Sequence, residues 1–245
     1  MRLDVWLVEH QHFSSRARAQ AAIKEGYIQV NGIIQKKASA LIAENDEVKS
    51  LGEAYSYVSR AALKLKAALN TFHFVVKDQC VLDIGAAHGG FTEVLLEFGA
   101  KEVVAIDVGR DQFSSYLAKD PRVHIHEQTH FLNTNQTLYR NATRAVCDVS
   151  FISSIPILGH LKDQGFIETI VLIKPQFEQR SGKKKAVIKD GRLRHSILRD
   201  YQKRCAQEGL FIHDFMPSPI QGSDGNLEYL AHIKDVPNDF TLPKD

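Results

Sequence analysis

The sequence predicts an α/β protein: a doubly wound, mostly parallel sheet preceded by a small α+β module. Three observations carry that prediction. From Gln79 onward, apolar runs of strand length alternate with stretches of helix length, the pattern of successive βα units. The first of those runs, VLDIGAAHGGF at 81–91, stops in a glycine-rich turn that opens a helix. Residues 1–50 lack this alternation and read instead as a helix followed by a tight hairpin.

In the N-terminal module, Ser14 or Ser15 can cap a helix that runs through an alanine-rich stretch to Gly26. YIQV and IIQK then flank Asn31-Gly32, a strong two-residue hairpin signal. Residues 45–58, NDEVKSLGEAYSYV, lose all periodicity and read as a linker, which divides the chain into domains 1–58 and 59–245. Ser59 caps a helix over SRAALKLKAALNTF. Strands follow at QCVLDIG, KEVVAIDVG, RVHIHE, RAVCDVS and IETIVLIKP, with helices at FTEVLLEFGA, RDQFSSYLAKD and FISSIPILGHL between them. A long basic helix over 192–208 leads to LFIHDFMPSP, a turn at QGSDGN and LEYLAHIKD, a hairpin-like pair expected to add one antiparallel strand.

Composition narrows the function classes. Thirty-one basic and 29 acidic residues nearly cancel, so bulk charge selects no partner. The three cysteines, Cys80, Cys147 and Cys205, are far apart and without metal-ligand spacing, which predicts a reducing, cytoplasmic setting and no metal. Arg2, Asp4 and Glu9 interrupt what would be a signal peptide's apolar region, and no apolar run approaches the roughly 18 residues of a membrane span. No membrane partner is expected.

The glycine turn is the most informative stretch. A dinucleotide fingerprint is G-x-G-x-x-G, whereas this turn is D-x-G-x-x-x-G-G, with Asp83, Gly85, Gly89 and Gly90. A pyrophosphate on a helix N-terminus disfavours a nearby anion. Asp83 suits a ligand carrying an ammonium, such as the methionyl end of S-adenosylmethionine, while the glycines let a ligand lie on bare backbone. A second strand ends in Asp107, where a carboxylate can take ribose hydroxyls. A methyl-donor site is thus favoured over the nicotinamide site of an oxidoreductase.

Three more polar residues fall at the same sheet edge. Asp148 ends RAVCDVS; Lys174 closes ETIVLIK and is followed by Pro175, which turns the chain out of the strand. Glu228 opens LEYLAHI, and in an antiparallel strand that start lies beside the other strands' ends. Lys64, on the helix before the sheet, completes a set of two lysines and two carboxylates. Beside a methyl donor, such a set can methylate a ribose 2′-hydroxyl. Lys174, its basicity lowered by burial and the neighbouring Lys64, is the expected general base, and Asp148 and Glu228 orient the two amines.

With these residues in hand, the chain resembles the TlyA, or hemolysin A-like, family, in which an S4-type RNA-binding domain is fused to an FtsJ-like ribosomal RNA 2′-O-methyltransferase. RLDVWLVE, SRARAQAAIKEGYIQVNG, YVSRAALKL, DIGAAHGGFTEVLL, CDVSFIS, KPQFE and SPIQGSDGNLEYL fall in family order across nearly the whole chain. The resemblance implies a Rossmann-like methyltransferase sheet and a catalytic Lys64, Asp148, Lys174 and Glu228. It also implies S-adenosylmethionine held by Asp83, Gly85, Ala86, Gly89, Gly90, Phe91, Asp107, Val108 and Glu127. Three departures stand out: Ala61-Ala62 replaces two glycines, Ala87-His88 replaces a Ser-Thr, and HEQTHFL lacks the family's asparagine and arginine.

The implied partner is ribosomal RNA or a ribosomal subunit. Arg2, Arg16, Arg18, Lys24, Lys36 and Lys37 give the N-terminal module a basic bias, and Lys183, Lys184 and Lys185 belong to a second basic tract at 180–204. The runner-up reading is a non-catalytic RNA-binding or ribosome-assembly protein with a degenerate methyltransferase domain. A membrane-damaging activity, suggested only by the hemolysin label, has no spanning segment to support it.

Overall fold

The computed structural model describes residues 1–10, 12–13, 15–24, 26–50, 57–180, 187–222 and 224–243. They pack as two compact units, Met1–Ala62 and Leu63–Asp245.

The first unit sets helices α1 (Leu3–Glu9) and α2 (Arg16–Lys24) against an antiparallel sheet of order β2-β1-β3, formed by β1 (Ile28–Val30), β2 (Ile33–Ile34) and β3 (Val48–Ser50). Its core gathers Leu3, Leu7, Ala19, Ala22, Ile23 and Ile28. Helix α1 is an addition to the sequence reading. Leu3 and Leu7, spaced i, i+4, are its buried face. The Ser15 hydroxyl accepts the Arg18 N–H at 3.4 Å and so caps α2; Ser14 lies outside the described residues. Asn31 and Gly32 take φ of 53° and 78°, the two positive values a two-residue hairpin turn demands.

The linker reading needs correction here. Val48–Ser50 form a strand against β1, with Val30 opposite Val48. Asn31 steers the approach: its amide donates to Asp46 Oδ1 and its carbonyl accepts the Glu47 N–H, both at 2.8 Å. A three-residue edge strand is too short to show as periodicity. Residues 51–56 of the predicted linker lie outside the described residues.

The second unit opens with α3 (Ala62–Thr71), which starts later than Ser59. It continues β4 (Cys80–Ile84), α4 (Gly90–Glu97), β5 (Glu102–Ile106), β6 (Val123–His126), β7 (Arg144–Cys147), α5 (Ile155–Asp163), β8 (Glu168–Ile173), α6 (Pro175–Glu178), α7 (Gly191–Gln207), β9 (Phe211–Pro217) and β10 (Tyr229–Lys234). The sheet order is β6-β5-β4-β7-β8-β10-β9, and β10 alone runs against its neighbours. Central strands β4, β7 and β8 are near-continuous apolar runs because helices cover both faces. At the end remote from the strands' carboxyl edge, fully buried His232 lies between Glu168 Oε2 at 2.8 Å and Asp214 Oδ2 at 3.2 Å, tying β8, β9 and β10 together.

One predicted helix is absent. Over 110–120 only Leu117–Lys119 forms a single 3₁₀ turn. The Glu127 carboxylate accepts the N–H groups of Asp111, Gln112 and Phe113 at 2.9, 2.8 and 3.1 Å, and so takes the donors with which a helix would begin.

Candidate active site

The chain runs outward through β4, β5 and β6, then crosses back to place β7 on the other side of β4. Beyond the carboxyl ends of the strands at such a reversal, open α/β sheets form their ligand crevice. A cavity of about 320 Å³ opens there, with Gly85, Ala87, Asp107, Val108, Asp148 and Ser150 in its wall.

The glycine turn is shaped by its neighbours. Gly85 has φ +81°, and a Cβ on it would come within 2.5 Å of the Asp148 carbonyl oxygen, so no side chain fits between β4 and the loop after β7. Gly89, at φ +91°, precedes α4, and a Cβ there would meet Leu117 Cδ1 at 2.7 Å. Asp107 accepts the Ala87 N–H at 2.8 Å and the Gly109 N–H at 2.6 Å, fastening the turn to the loop after β5. Its carboxylate keeps further acceptor capacity on the cavity wall.

Asp83 lies beneath this turn, fully buried. Its Oδ2 accepts from the Thr92 hydroxyl at 2.6 Å, and its Oδ1 has no hydrogen-bond partner among the described residues. Burial pushes this carboxyl up to about 7; the Thr92 bond opposes the shift, and the nearby charges of Asp148 and Asp107 add to it. Of the cofactor residues expected from the sequence, Gly85, Asp107 and Val108 line the cavity. Ala86, Gly90 and Phe91 are buried in the turn and the first turn of α4 and do not line it. Glu127 does not line it either; it organises the 111–113 loop, whose backbone donors hold its carboxyl below the usual range.

Lys64, Asp148, Lys174 and Glu228 come to the same edge as two ion pairs. Lys64 Nζ, on α3, donates to Glu228 Oε2 at 2.5 Å, and both side chains are buried. Lys174 caps α6 in extended conformation, with Pro175 at the helix's first position. Its Nζ lies 2.6 Å from Asp148 Oδ1. That approach is outside hydrogen-bonding geometry, so Oδ1 has no donor among the described residues, and Lys174 donates to Ser150 Oγ at 2.7 Å. Tyr229 pairs with Ile173, so Glu228 and Lys174 face each other one step beyond the ladder. Gly222 makes room for Glu228, since a Cβ there would sit 2.5 Å from Oε1.

Sequence reasoning passed over three residues of this region. Ser150 and Phe151 follow Asp148 in the cavity wall, and Phe151 is 86% exposed at φ +71° with its ring 5.2 Å from that of Phe177. Glu178, at the end of α6, is buried and binds Ser153, Ser154 and Arg204. All three lie inside CDVSFIS and KPQFE, stretches that carry the family resemblance, and that placement is the signal that marks them.

Among the expected RNA-binding residues, Arg2 and Arg16 prove to be tied to Asp4. This fully buried carboxylate takes Arg2 through both oxygens at 2.9 and 3.0 Å, Arg16 at 3.0 Å and Gln20 at 2.6 Å. Arg2 is the first cause of its carboxyl lying well below the ordinary range. The two guanidinium groups are thereby held in place while remaining about half exposed, at 46% and 55%. Arg18 is half-buried; Lys24, Lys36 and Lys37 are exposed. Lys183, Lys184 and Lys185 lie outside the described residues. Helix α7 presents exposed Arg192, Arg199 and Lys203 at spacings that share one face.

Fold and cleft define a class: an open α/β enzyme with its ligand crevice at the topological switch and one reversed strand near the sheet's edge. The FtsJ-like methyltransferase family matches residues 57–234, and the S4 domain matches residues 1–48. Hemolysin A of Brachyspira hyodysenteriae is 37% identical over 239 residues, 95% of this chain and 99% of that protein. The 16S/23S rRNA (cytidine-2′-O)-methyltransferase TlyA of Mycobacterium tuberculosis is 33% identical over 239 residues, covering 95% of this chain and 89% of its own. A solved structure of a hemolysin-named protein from Streptococcus thermophilus superposes with a TM-score of 0.73 at 34% identity, over 96% of this chain and 88% of that one. The chain belongs to the FtsJ-like methyltransferase family, in its TlyA and hemolysin A group. Among the described residues, no helix is long and apolar enough to cross a membrane.

Proposed function

We propose that this enzyme transfers the methyl group of S-adenosylmethionine to a ribose 2′-hydroxyl of ribosomal RNA. The observation that carries the reading is that Asp148 belongs to two structures at once: it lines the cavity and pairs with Lys174. A ligand in that cavity therefore lies beside the pair that Asp148 makes with Lys174.

The residues present fit the methyl donor. The orphaned Asp83 Oδ1 is an unmet acceptor beneath the turn, suited to an ammonium group. Gly85 leaves the backbone bare, Asp107 offers acceptors for ribose hydroxyls, and Val108 gives an apolar surface for a base. When bound, the donor supplies an electrophilic methyl on a sulfonium. The chain's own residues do the rest. Lys174 takes the hydroxyl proton as general base, with Asp148 beside it; Glu228, at the facing start of β10, holds Lys64. Exposed Phe151 at the cavity mouth offers a face on which a nucleobase can stack. Alignment of acceptor and methyl supplies most of the acceleration.

For the substrate class, support comes from the S4 match, from relatives named as rRNA (cytidine-2′-O)-methyltransferases, and from exposed cations on α2 and α7 that suit phosphate contact. The test is Lys174→Ala, with methyl transfer to ribosomal subunits and calorimetric S-adenosylmethionine binding measured on the same preparation. Transfer should vanish while binding stays nearly intact. Loss of both would place Lys174 in the wrong site.

A further inference from the structure

The loop between β7 and α5 is fastened at both ends. At the first, the Asp148 N–H donates to the Ile84 carbonyl at 2.9 Å. At the second, Glu178, only 3% exposed, gathers four donors. Its Oε1 accepts the Ser154 N–H at 2.8 Å and the Ser154 hydroxyl at 2.9 Å. Its Oε2 accepts the Ser153 hydroxyl at 2.6 Å and Arg204 Nη2 at 3.2 Å. Glu178 ends the same short helix that Lys174 caps, so the strap binds the loop to the element that carries Lys174. In its middle, Phe151 sits at φ +71°, a conformation that a bulky L residue adopts only when its surroundings impose it.

What the strap delivers to Lys174 is the hydroxyl of Ser150, 2.7 Å from Nζ and part of the cavity wall. Asp148 is as near but contributes charge without a directional bond. Building on the methyl-transfer reading above, we propose that Ser150 is a positioning residue that aims the Lys174 amine at the substrate hydroxyl. A hydroxyl is suited to this because it accepts an N–H from the ammonium and from the free amine alike, so the direction is kept in both forms. Its bond to the ammonium is the stronger of the two, but it favours the charged form less than a carboxylate bound head-on would. With one N–H committed to Ser150, which lines the cavity, the free amine is held at the cavity wall with its lone pair unengaged by that bond. As the oxygen–methyl bond forms and the sulfur–methyl bond breaks, the hydroxyl proton passes to that lone pair. The ammonium so formed keeps its bond to Ser150 and gains the attraction of Asp148 until water carries the proton away.

The test uses the full chain, ribosomal subunits and labelled S-adenosylmethionine, with single-turnover rates measured across pH 6 to 9.5. Ser150→Ala should lower the rate about ten- to hundred-fold, a loss of the size expected for a misdirected base. It should also move the rising limb of the pH profile to lower pH, because the bond lost is stronger to the ammonium than to the free amine, while calorimetric S-adenosylmethionine affinity changes less than about two-fold. Ser150→Thr, which keeps the hydroxyl, should recover most of the rate. Glu178→Gln, which loosens the strap from a distance, should give a smaller loss in the same direction. If Ser150→Ala matches the wild type in rate and pH profile, or loses cofactor affinity in step with rate, the inference is overturned. If the wild type itself transfers no methyl group, the methyl-transfer reading falls and takes the inference with it.

Discussion

With the methyl donor's ammonium seated on Asp83 as proposed, cofactor binding becomes a reaction that releases protons, and the number can be worked out. Without ligand, burial holds this group protonated up to about 7, with one oxygen bonded to Thr92 and the other unpartnered. At pH 6 about nine ligand-free molecules in ten carry the proton, and at pH 7 about half do. A ligand ammonium seated against Asp83 needs the carboxylate. Binding should therefore release about 0.9 proton per site at pH 6 and about 0.5 at pH 7, with affinity rising about five-fold between them. Titration calorimetry with S-adenosylmethionine in buffers of different ionisation enthalpy counts the protons directly, and Asp83→Asn should abolish the release. The same group sets a trend in stability. Its folded pKa lies above the unfolded value, so its stabilising contribution is complete below about pH 4 and is lost as pH rises through about 7, by up to about 1.4 kcal/mol per pH unit. Thermal melts of the ligand-free wild type should decline across that window relative to Asp83→Asn. Saturable binding at pH 6 with no proton released would refute the placement of an ammonium on Asp83.

Other expectations follow from single contacts. Gly85→Ala puts a Cβ 2.5 Å from the Asp148 carbonyl at φ +81°, and should cost about 2–4 kcal/mol in urea unfolding together with cofactor affinity. Asp4→Asn leaves Arg2 and Arg16 without their shared anion; it should destabilise the N-terminal unit by about 1–3 kcal/mol and weaken RNA binding in a filter assay at fixed salt. Because the Asp4 carboxyl is depressed, that loss should be full above about pH 4 and shrink as pH falls below it. Phe151→Gly should be about 1 kcal/mol more stable than Phe151→Ala, since both lose the exposed ring and only glycine escapes the positive φ. Both variants should bind S-adenosylmethionine normally and transfer methyl more slowly; normal turnover would remove Phe151 from substrate contact.

Much of the fold could be read from the sequence because its signals are local. A strand buried on both faces is an unbroken apolar run, and a charge that closes such a run marks the sheet's carboxyl edge. That logic located Asp83, Asp107, Asp148 and Lys174, and the reversed direction of β10 brought Glu228 to the same edge. What escaped depends on partners distant in sequence. The stretch 110–120 has helix composition, yet Glu127 claims its first backbone donors. β3 is three residues long and is defined by its pairing with Ile28–Val30. Ser150 and Glu178 gain meaning only when Lys174 and Ser154 arrive beside them. Arg2 and Arg16 read as free cations until Asp4, buried by the i, i+4 face of α1, is seen to hold both.

The departures in the glycine turn bear on whether the site is still in use. Replacing Ser-Thr by Ala87-His88 removes two hydroxyls, but the contact that shapes the turn is made by the Ala87 backbone N–H, which Asp107 accepts whatever side chain stands there. Meanwhile the unit retains three features that cost stability without improving packing. Asp83 is buried with an orphaned oxygen, Gly85 is held at positive φ against the Asp148 carbonyl, and Phe151 is strained with its ring in solvent. Each carries a penalty of order 1–3 kcal/mol, against a total stability of only about 5–15 kcal/mol for a typical domain. In a protein that used this fold only to bind RNA, Asp83→Asn or Phe151→Gly would be improvements without drawback. Their persistence together, with Gly85 and Phe151 in the wall of one cavity and Asp83 beneath the turn that borders it, favours an enzyme over a retired one, because a bound ammonium, a close-lying cofactor and a stacked base are what would repay them.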